Sequence, residues 1–182
     1  MDSMTFLLFG ATGDLAKRKI YPALYKLFSN QNIPQSISII GIGRRAMSDV
    51  EFQTKVEQSL ATFSRISTDD ESGVEEFIST FRYCQLDTAN IEDYQDLLSL
   101  VKRRETELNI PKNRMFYLSV VPEVFEVITL NIKESGLWAT KGLNRLIIEK
   151  PFGHSLKSAR ELNTKLIKGF DETDIYCIDH YL

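Results

Sequence analysis

The feature that most constrains this chain is an alternation of short, continuous apolar runs with longer stretches of helical period. The runs are Phe6–Phe9, Ile37–Ile40, Phe81–Cys84, Met115–Leu118, Leu146–Ile148 and Ile175–Ile178. A strand with one wet face alternates apolar and polar residues. Most of these runs are continuous instead, as strands buried on both faces of a parallel sheet must be. Parallel neighbours cannot be joined by a tight hairpin, so the helical stretches between the runs are the crossovers the sheet requires. The expected class is α/β, a doubly wound parallel sheet of about six strands with helices on both faces.

The helical stretches carry their own end signals. Ser48-Asp49-Val50-Glu51 is a capping box opening a helix towards Leu60. Asn90 caps Ile91 to about Glu107, and Ser155 caps a segment reaching about Ile167. Pro122 suits the first helical position before Glu123–Glu134, with Gly136 just past the end. The polar stretch Thr62–Val74 reads as a surface loop between two helices, so residues 1–182 are expected to form one domain. Cys84 and Cys177 sit inside apolar runs and read as buried thiols of a reducing compartment, with the cytoplasm as the expected location. No apolar run approaches the ~20 residues of a membrane span. A net charge of -3 with no basic block argues against nucleic acid as a partner. No Cys/His cluster has metal-ligand spacing, so no metal is expected.

In a doubly wound sheet ligands bind outside the carboxyl ends of the strands, where the strand order reverses. The residues just after each apolar run are therefore the candidates. After the first run comes Gly10-Ala11-Thr12-Gly13-Asp14-Leu15-Ala16, a G-x-x-G-x-x-A loop. Gly10 permits a tight turn off the strand, Gly13 lets the backbone approach a pyrophosphate, and Ala16 lets the next helix pack near the sheet. In its context, after the first strand and opening a helix, this reads as a Rossmann-type dinucleotide loop rather than a plain strand-to-helix turn, with Gly10, Ala11, Thr12, Gly13, Asp14 and Leu15 as candidate cofactor-binding residues. Pro22, farther along, is expected to kink that helix or delay its regular part. Near the same loop, one of Lys17, Arg18 and Lys19 is a candidate to reach a ligand.

After the second run the chain reads Gly41-Ile42-Gly43-Arg44-Arg45. An NAD site places an acid there for the ribose 2′-hydroxyl, and an NADP site replaces it with arginine for the 2′-phosphate. Arg44, helped by Thr12, therefore favours NADP. After the fourth run, the uncharged Ser119-Val120-Val121-Pro122 suits either a backbone surface against the nicotinamide or an ordinary strand-to-helix connection. After the fifth run, Lys150 is equally a surface lysine or one that orients substrate. Beyond the sixth, Asp179-His180 pairs a carboxylate with an imidazole able to bind phosphate or relay a proton. Adjacent strand residues point to opposite faces, however, so the two need not act on each other. His154, after Gly153, reads as an exposed loop residue.

Three stretches in this order, Gly10-Ala-Thr-Gly-Asp-Leu-Ala-Lys-Arg-Lys-Ile-Tyr-Pro22, Glu149-Lys-Pro-Phe-Gly153 and Ile178-Asp-His-Tyr-Leu182, resemble the glucose-6-phosphate dehydrogenase family. The resemblance implies an N-terminal coenzyme domain of a longer enzyme. That enzyme moves hydride from C1 of β-D-glucose 6-phosphate to NADP, giving 6-phosphogluconolactone in the oxidative branch of the pentose phosphate pathway. It implies that Gly10, Thr12 and Gly13 hold the pyrophosphate end and Arg44 the 2′-phosphate. It implies that Pro151 positions the coenzyme, beside the Val121 and Pro122 read above as candidates for the coenzyme side, and that Lys19 and Lys150 arrange sugar phosphate and nicotinamide. His180 and Tyr181 would take the 6-phosphate, and Asp179 would orient a catalytic base. The family's Gly-Lys-Glu continuation and its general-base histidine lie beyond Leu182. These 182 residues alone are thus expected to be inactive, with dimerisation through a second domain. Two other readings stand beside this one: another NADP-dependent sugar oxidoreductase, and a module that senses NADP without turning it over.

Overall fold

The computed structural model describes residues 2–64, 71–138, 141–149, 164 and 170–178. The expected strands form as β1 (Thr5–Phe9), β2 (Ser38–Gly43), β3 (Phe81–Gln85), β4 (Arg114–Leu118), β5 (Asn144–Glu149) and β6 (Ile175–Ile178). All five pairings are parallel, in the order β3-β2-β1-β4-β5-β6. The chain works outward from β1 in one direction, then returns to β1's other edge with β4. The reversal between β1 and β4 creates a crevice at the carboxyl ends of the central strands.

The helices are α1 (Tyr21–Ser29), α2 (Asp49–Phe63), α3 (Glu71–Ser79), α4 (Ile91–Glu107) and α5 (Phe125–Glu134). β1 shows why its run is continuous. Phe6 and Leu8 pack into one core with Tyr21, Phe28, Phe52 and Phe77, while Leu7 and Phe9 pack into another with Tyr94, Val101, Phe125 and Ile132. Helices α1–α3 thus cover one face and α4–α5 the other. No residue of β1 can be polar at the surface, and every one is buried.

The end signals act as the sequence predicts. Ser48 Oγ accepts from Glu51 N–H at 3.2 Å and Ser48 N–H donates back to the Glu51 carboxylate at 2.7 Å, completing the capping box of α2. Asn90 Oδ1 accepts from Glu92 N–H at 3.2 Å, and α4 spans the predicted residues. Pro122 opens a 3₁₀ turn (Pro122–Val124) before α5, and Gly136 takes a φ of +80° past the helix end. Pro22 delays the regular helix. Residues Ala16–Ile20 form a π turn in which Tyr21 N–H reaches back to Ala16 O, and α1 begins at Tyr21. Proline has no N–H to continue an α ladder, so the frame widens before it and resets.

Two expectations need correction. Thr62–Val74 is not one loop: α2 continues through Phe63 and α3 already begins at Glu71, because the apolar spacing of Val74, Phe77 and Ile78 packs that stretch on the first core. The cysteines are not both buried. Cys84 is half-buried and Cys177 exposed, since β6 is an edge strand whose central Tyr176 and Cys177 have no covering element among the described residues. The helix predicted after Ser155 lies, apart from Thr164, outside the described residues.

Candidate functional site

The first loop leaves β1 at Gly10, whose φ of +83° suits glycine alone. The amides of Gly10 and Ala11 both donate to Ile42 O at 3.1 Å, tying the loop to the end of β2. On the other side Ser119 N–H donates to Phe9 O at 3.0 Å, tying β1 to the end of β4. A side chain on Gly10 would place Cβ 2.0 Å from Ser119 O, so the loop threads a gap that admits only a hydrogen. Beneath it Ala11 is buried, and its carbonyl accepts the hydroxyl of Tyr21. The Tyr21 phenol is pushed far above its ordinary pKa by burial and then by the neighbouring Tyr83, so it stays a donor. Gly13 N–H closes the turn onto Gly10 O at 2.9 Å, and Lys17 N–H makes a helical bond to Gly13 O at 3.3 Å. The amides of Asp14, Leu15 and Ala16 therefore occupy a first helical turn, where N–H groups lack intrahelical partners and favour an anion.

Around this loop lies a cleft of about 350 Å³. The first loop contributes Gly10, Thr12 and Gly13, and the end of β2 contributes Ile42, Gly43 and Arg44. The far wall is Ser119, Val120, Val121 and Val124 after β4, with Leu86 and Thr88 after β3 closing the floor. Thr12 reaches the β2 end directly: its Oγ1 lies 3.5 Å from where a Cβ on Gly43 would sit. Arg44 is exposed and enters no ion pair among the described residues, whereas Arg18 is engaged by Asp14 at 2.9 Å. No carboxylate among the described residues occupies the end of β2.

The structure thus brings together Gly10, Thr12, Gly13, Arg44 and Val121 at one cleft. Ala11 lies under the loop, Leu15 is half-buried and Asp14 exposed in the first helical turn, and Pro122 follows Val121 at the cleft's edge. Lys19 is exposed on the π turn and is not part of the cleft wall. Lys150, Pro151, His154, Asp179, His180 and Tyr181 lie outside the described residues. The last described residue of β5, Glu149, accepts the buried hydroxyl of Tyr117 on β4 at 2.5 Å, which fixes the strand end just before Lys150. Burial, and then this bond, raise the Tyr117 phenol well above its ordinary range.

Sequence reasoning missed Leu86 and Thr88. The signal was available, since both follow the third apolar run directly. Thr88 is held by its carbonyl, which accepts from Tyr94 Oη at 3.0 Å and from Asn131 Nδ2 at 2.9 Å. A second cavity, about 300 Å³, opens beside Met4, Asn113 and Arg114 at the amino ends of the strands. That is the edge opposite to where open parallel sheets bind ligands. No grouping of three His, Cys, Asp or Glu among the described residues could hold a metal ion, and no described helix is long and apolar enough to cross a membrane.

Known proteins match this chain over nearly its whole length. The family model for "Glucose-6-phosphate dehydrogenase, NAD binding domain" matches residues 7–182. Glucose-6-phosphate 1-dehydrogenase of Bacillus subtilis (strain 168) is 43% identical over 176 residues, covering 97% of this chain and 35% of the relative. The enzyme of the same name from Leuconostoc mesenteroides is 40% identical over 174 residues, covering 96% and 35%. A solved structure of glucose-6-phosphate dehydrogenase in complex with its substrate glucose-6-phosphate superposes with a TM-score of 0.91 at 34% identity, covering 99% of this chain and 37% of that one. The chain therefore spans about a third of the length of these relatives. With the strand order, the glycine loop and this match in agreement, the chain belongs to the glucose-6-phosphate dehydrogenase family, as its NAD-binding domain.

Proposed function

We propose that residues 1–182 form the coenzyme domain of a longer, cytoplasmic, NADP-dependent glucose-6-phosphate dehydrogenase. The observation that carries the coenzyme choice is Arg44: an exposed guanidinium at the end of β2, beside Thr12, with neither an ion-pair partner nor a competing carboxylate among the described residues. A charge-assisted hydrogen bond contributes about 1.5–3 kcal/mol, so Arg44 with the Thr12 hydroxyl favours a 2′-phosphate by ~10²-fold.

Gly13 and the first helical turn hold the pyrophosphate by backbone N–H groups. Ser119, Val120 and Val121 offer an uncharged wall to the nicotinamide, which excludes water from the face where hydride arrives. NADP, when bound, supplies the hydride acceptor. From the family resemblance, Lys19 and Lys150 arrange sugar phosphate and nicotinamide, Pro151 positions the coenzyme, His180 and Tyr181 hold the 6-phosphate, and Asp179 orients the base. This chain's share of the reaction is positioning and charge. We place proton abstraction from the anomeric hydroxyl, and dimerisation, in parts of the enzyme outside these residues.

The test is calorimetric titration of this chain with NADP and with NAD, repeated on Arg44→Ala. NADP is expected to bind at least tenfold more tightly, with Arg44→Ala erasing that advantage and leaving NAD nearly unchanged. Equal losses for both coenzymes would remove Arg44 from the 2′-phosphate.

A further inference from the structure

The segment that carries Arg44 is gripped from the neighbouring strand. Gln85 Nε2, at the end of β3, donates to Arg44 O at 3.2 Å, and Tyr83 Oη donates to Arg45 O at 2.7 Å. A Cβ on Gly43 would lie 2.7 Å from the Tyr83 hydroxyl, so glycine at that position is what lets the phenol reach across the end of β2. The far end of the same segment is fixed by the Ser48–Glu51 capping box. Asp49, the first residue of α2, accepts from Tyr83 N–H at 2.7 Å, joining helix and strand. The two consecutive carbonyls that flank the arginine side chains are therefore both held by β3, although neither Tyr83 nor Gln85 lines the cleft.

We infer that Tyr83 and Gln85 are positioning residues that set the preference for a coenzyme bearing a 2′-phosphate, acting through the backbone of Arg44 and of the adjoining Arg45. The inference rests on the reading of Arg44 as the 2′-phosphate ligand. An arginine whose backbone is already fixed has only its side chain to order when the phosphate arrives. One on a loose segment must also lose backbone freedom, and affinity falls by that amount. NAD makes no demand on Arg44, so the clamp acts on the ratio of the two affinities. The groups are neutral donors to neutral carbonyls, which places their individual effects at about two- to tenfold.

The experiment titrates NADP and NAD into the unaltered chain, Tyr83→Phe, Gln85→Met, the double variant, Arg44→Ala and the triple variant. Tyr83→Phe removes the hydroxyl and Gln85→Met the amide, each at nearly constant side-chain size, and Gln85 is exposed, so its variant keeps the fold. The expected result is a drop in the NADP-to-NAD affinity ratio of about three- to thirtyfold in the double variant. The same pair should have no further effect on the ratio once Arg44 is alanine. An unchanged ratio in the double variant, while Arg44→Ala still lowers it, overturns the clamp and leaves Arg44 in place. Equal weakening of both coenzymes also overturns it, showing a role in folding alone. A ratio unmoved by Arg44→Ala overturns the Arg44 reading and the clamp together.

Discussion

Gly10 and Gly13 belong to the same loop, yet their contacts predict opposite consequences for alanine. At Gly10 the added carbon would stand 2.0 Å from Ser119 O and 2.8 Å from Ser119 C. A carbon–oxygen contact settles near ~3.3 Å, so the loop and the end of β4 must separate by about 1 Å. That separation strains two bonds that seat the loop, Ser119 N–H to Phe9 O and Gly10 N–H to Ile42 O. The backbone at φ +83° adds a left-handed penalty for any side chain. Taken together, Gly10→Ala is expected to cost about 3–5 kcal/mol of folding stability. At Gly13 the only near neighbour of an added carbon among the described residues is Gly10 O at 3.1 Å, and the backbone is not left-handed. Gly13→Ala should therefore change stability by less than about 1 kcal/mol, while on the proposed coenzyme reading its methyl group would stand in the path of the pyrophosphate. Urea unfolding followed by circular dichroism measures the first effect, and NADP titration the second. Coenzyme affinity in Gly13→Ala is expected to fall by about ten- to a hundredfold. If Gly13→Ala unfolds as easily as Gly10→Ala, or binds NADP as tightly as the unaltered chain, the division of labour drawn from these contacts is wrong.

Other consequences can be checked separately. Arg114 is almost fully buried and grips Glu105 with two bonds of 2.7 and 2.9 Å, its third donor going to Leu137 O. Glu105→Gln leaves that guanidinium uncompensated and should cost about 3 kcal/mol in chemical denaturation; a loss under about 1 kcal/mol would show that water reaches the site. Glu51 is held below the usual carboxylate range by the amide and then the hydroxyl of Ser48. Because its folded pKa is the lower one, its contribution is present above the unfolded value near ~4.3 and is lost as pH falls through the folded value. Glu51→Gln should accordingly flatten the acid side of the stability–pH curve, and Ser48→Ala, which keeps the larger amide contribution, should do so only in part; an unchanged slope in Glu51→Gln would contradict the capping box. Burial, followed by Asp96 and Asp93, pushes the Cys84 thiol up to about 11. Its alkylation at pH 8, read by peptide mapping, should be ~10²-fold slower than in the unfolded chain, and equal rates would rule out that environment.

How much of this was legible in the sequence depended on how local the cause is. Continuous apolar runs report burial on both faces, and burial on both faces means a parallel sheet between helix layers; Phe6 to Phe9 could be read without a partner in view. Caps are local too, which is why Ser48 and Asn90 marked helix starts correctly. The glycine loop was readable because the left-handed turn at Gly10 is a local backbone requirement, although the approach of Ser119 that also excludes a side chain there is not local. Errors came where a neighbour decides. Cys177 looks like a core residue by its flanks, but β6 is an edge strand and its exposure follows from what stands beside it. Thr62–Val74 reads as polar loop because Asp69, Asp70 and Glu71 dominate it, whereas Val74, Phe77 and Ile78 find their reason only in the core they pack on. By itself the sequence determined the layers, the loop and the arginine at a strand end. Only the tertiary structure decided that β1 lies between β2 and β4, which sets Thr12, Arg44, Thr88 and Val121 around one cleft and places Tyr83 and Gln85 against the arginine segment. Periodicity records how deeply each residue is buried, but strand order is set by which crossovers pack on which face, and that exists only between segments far apart in the chain.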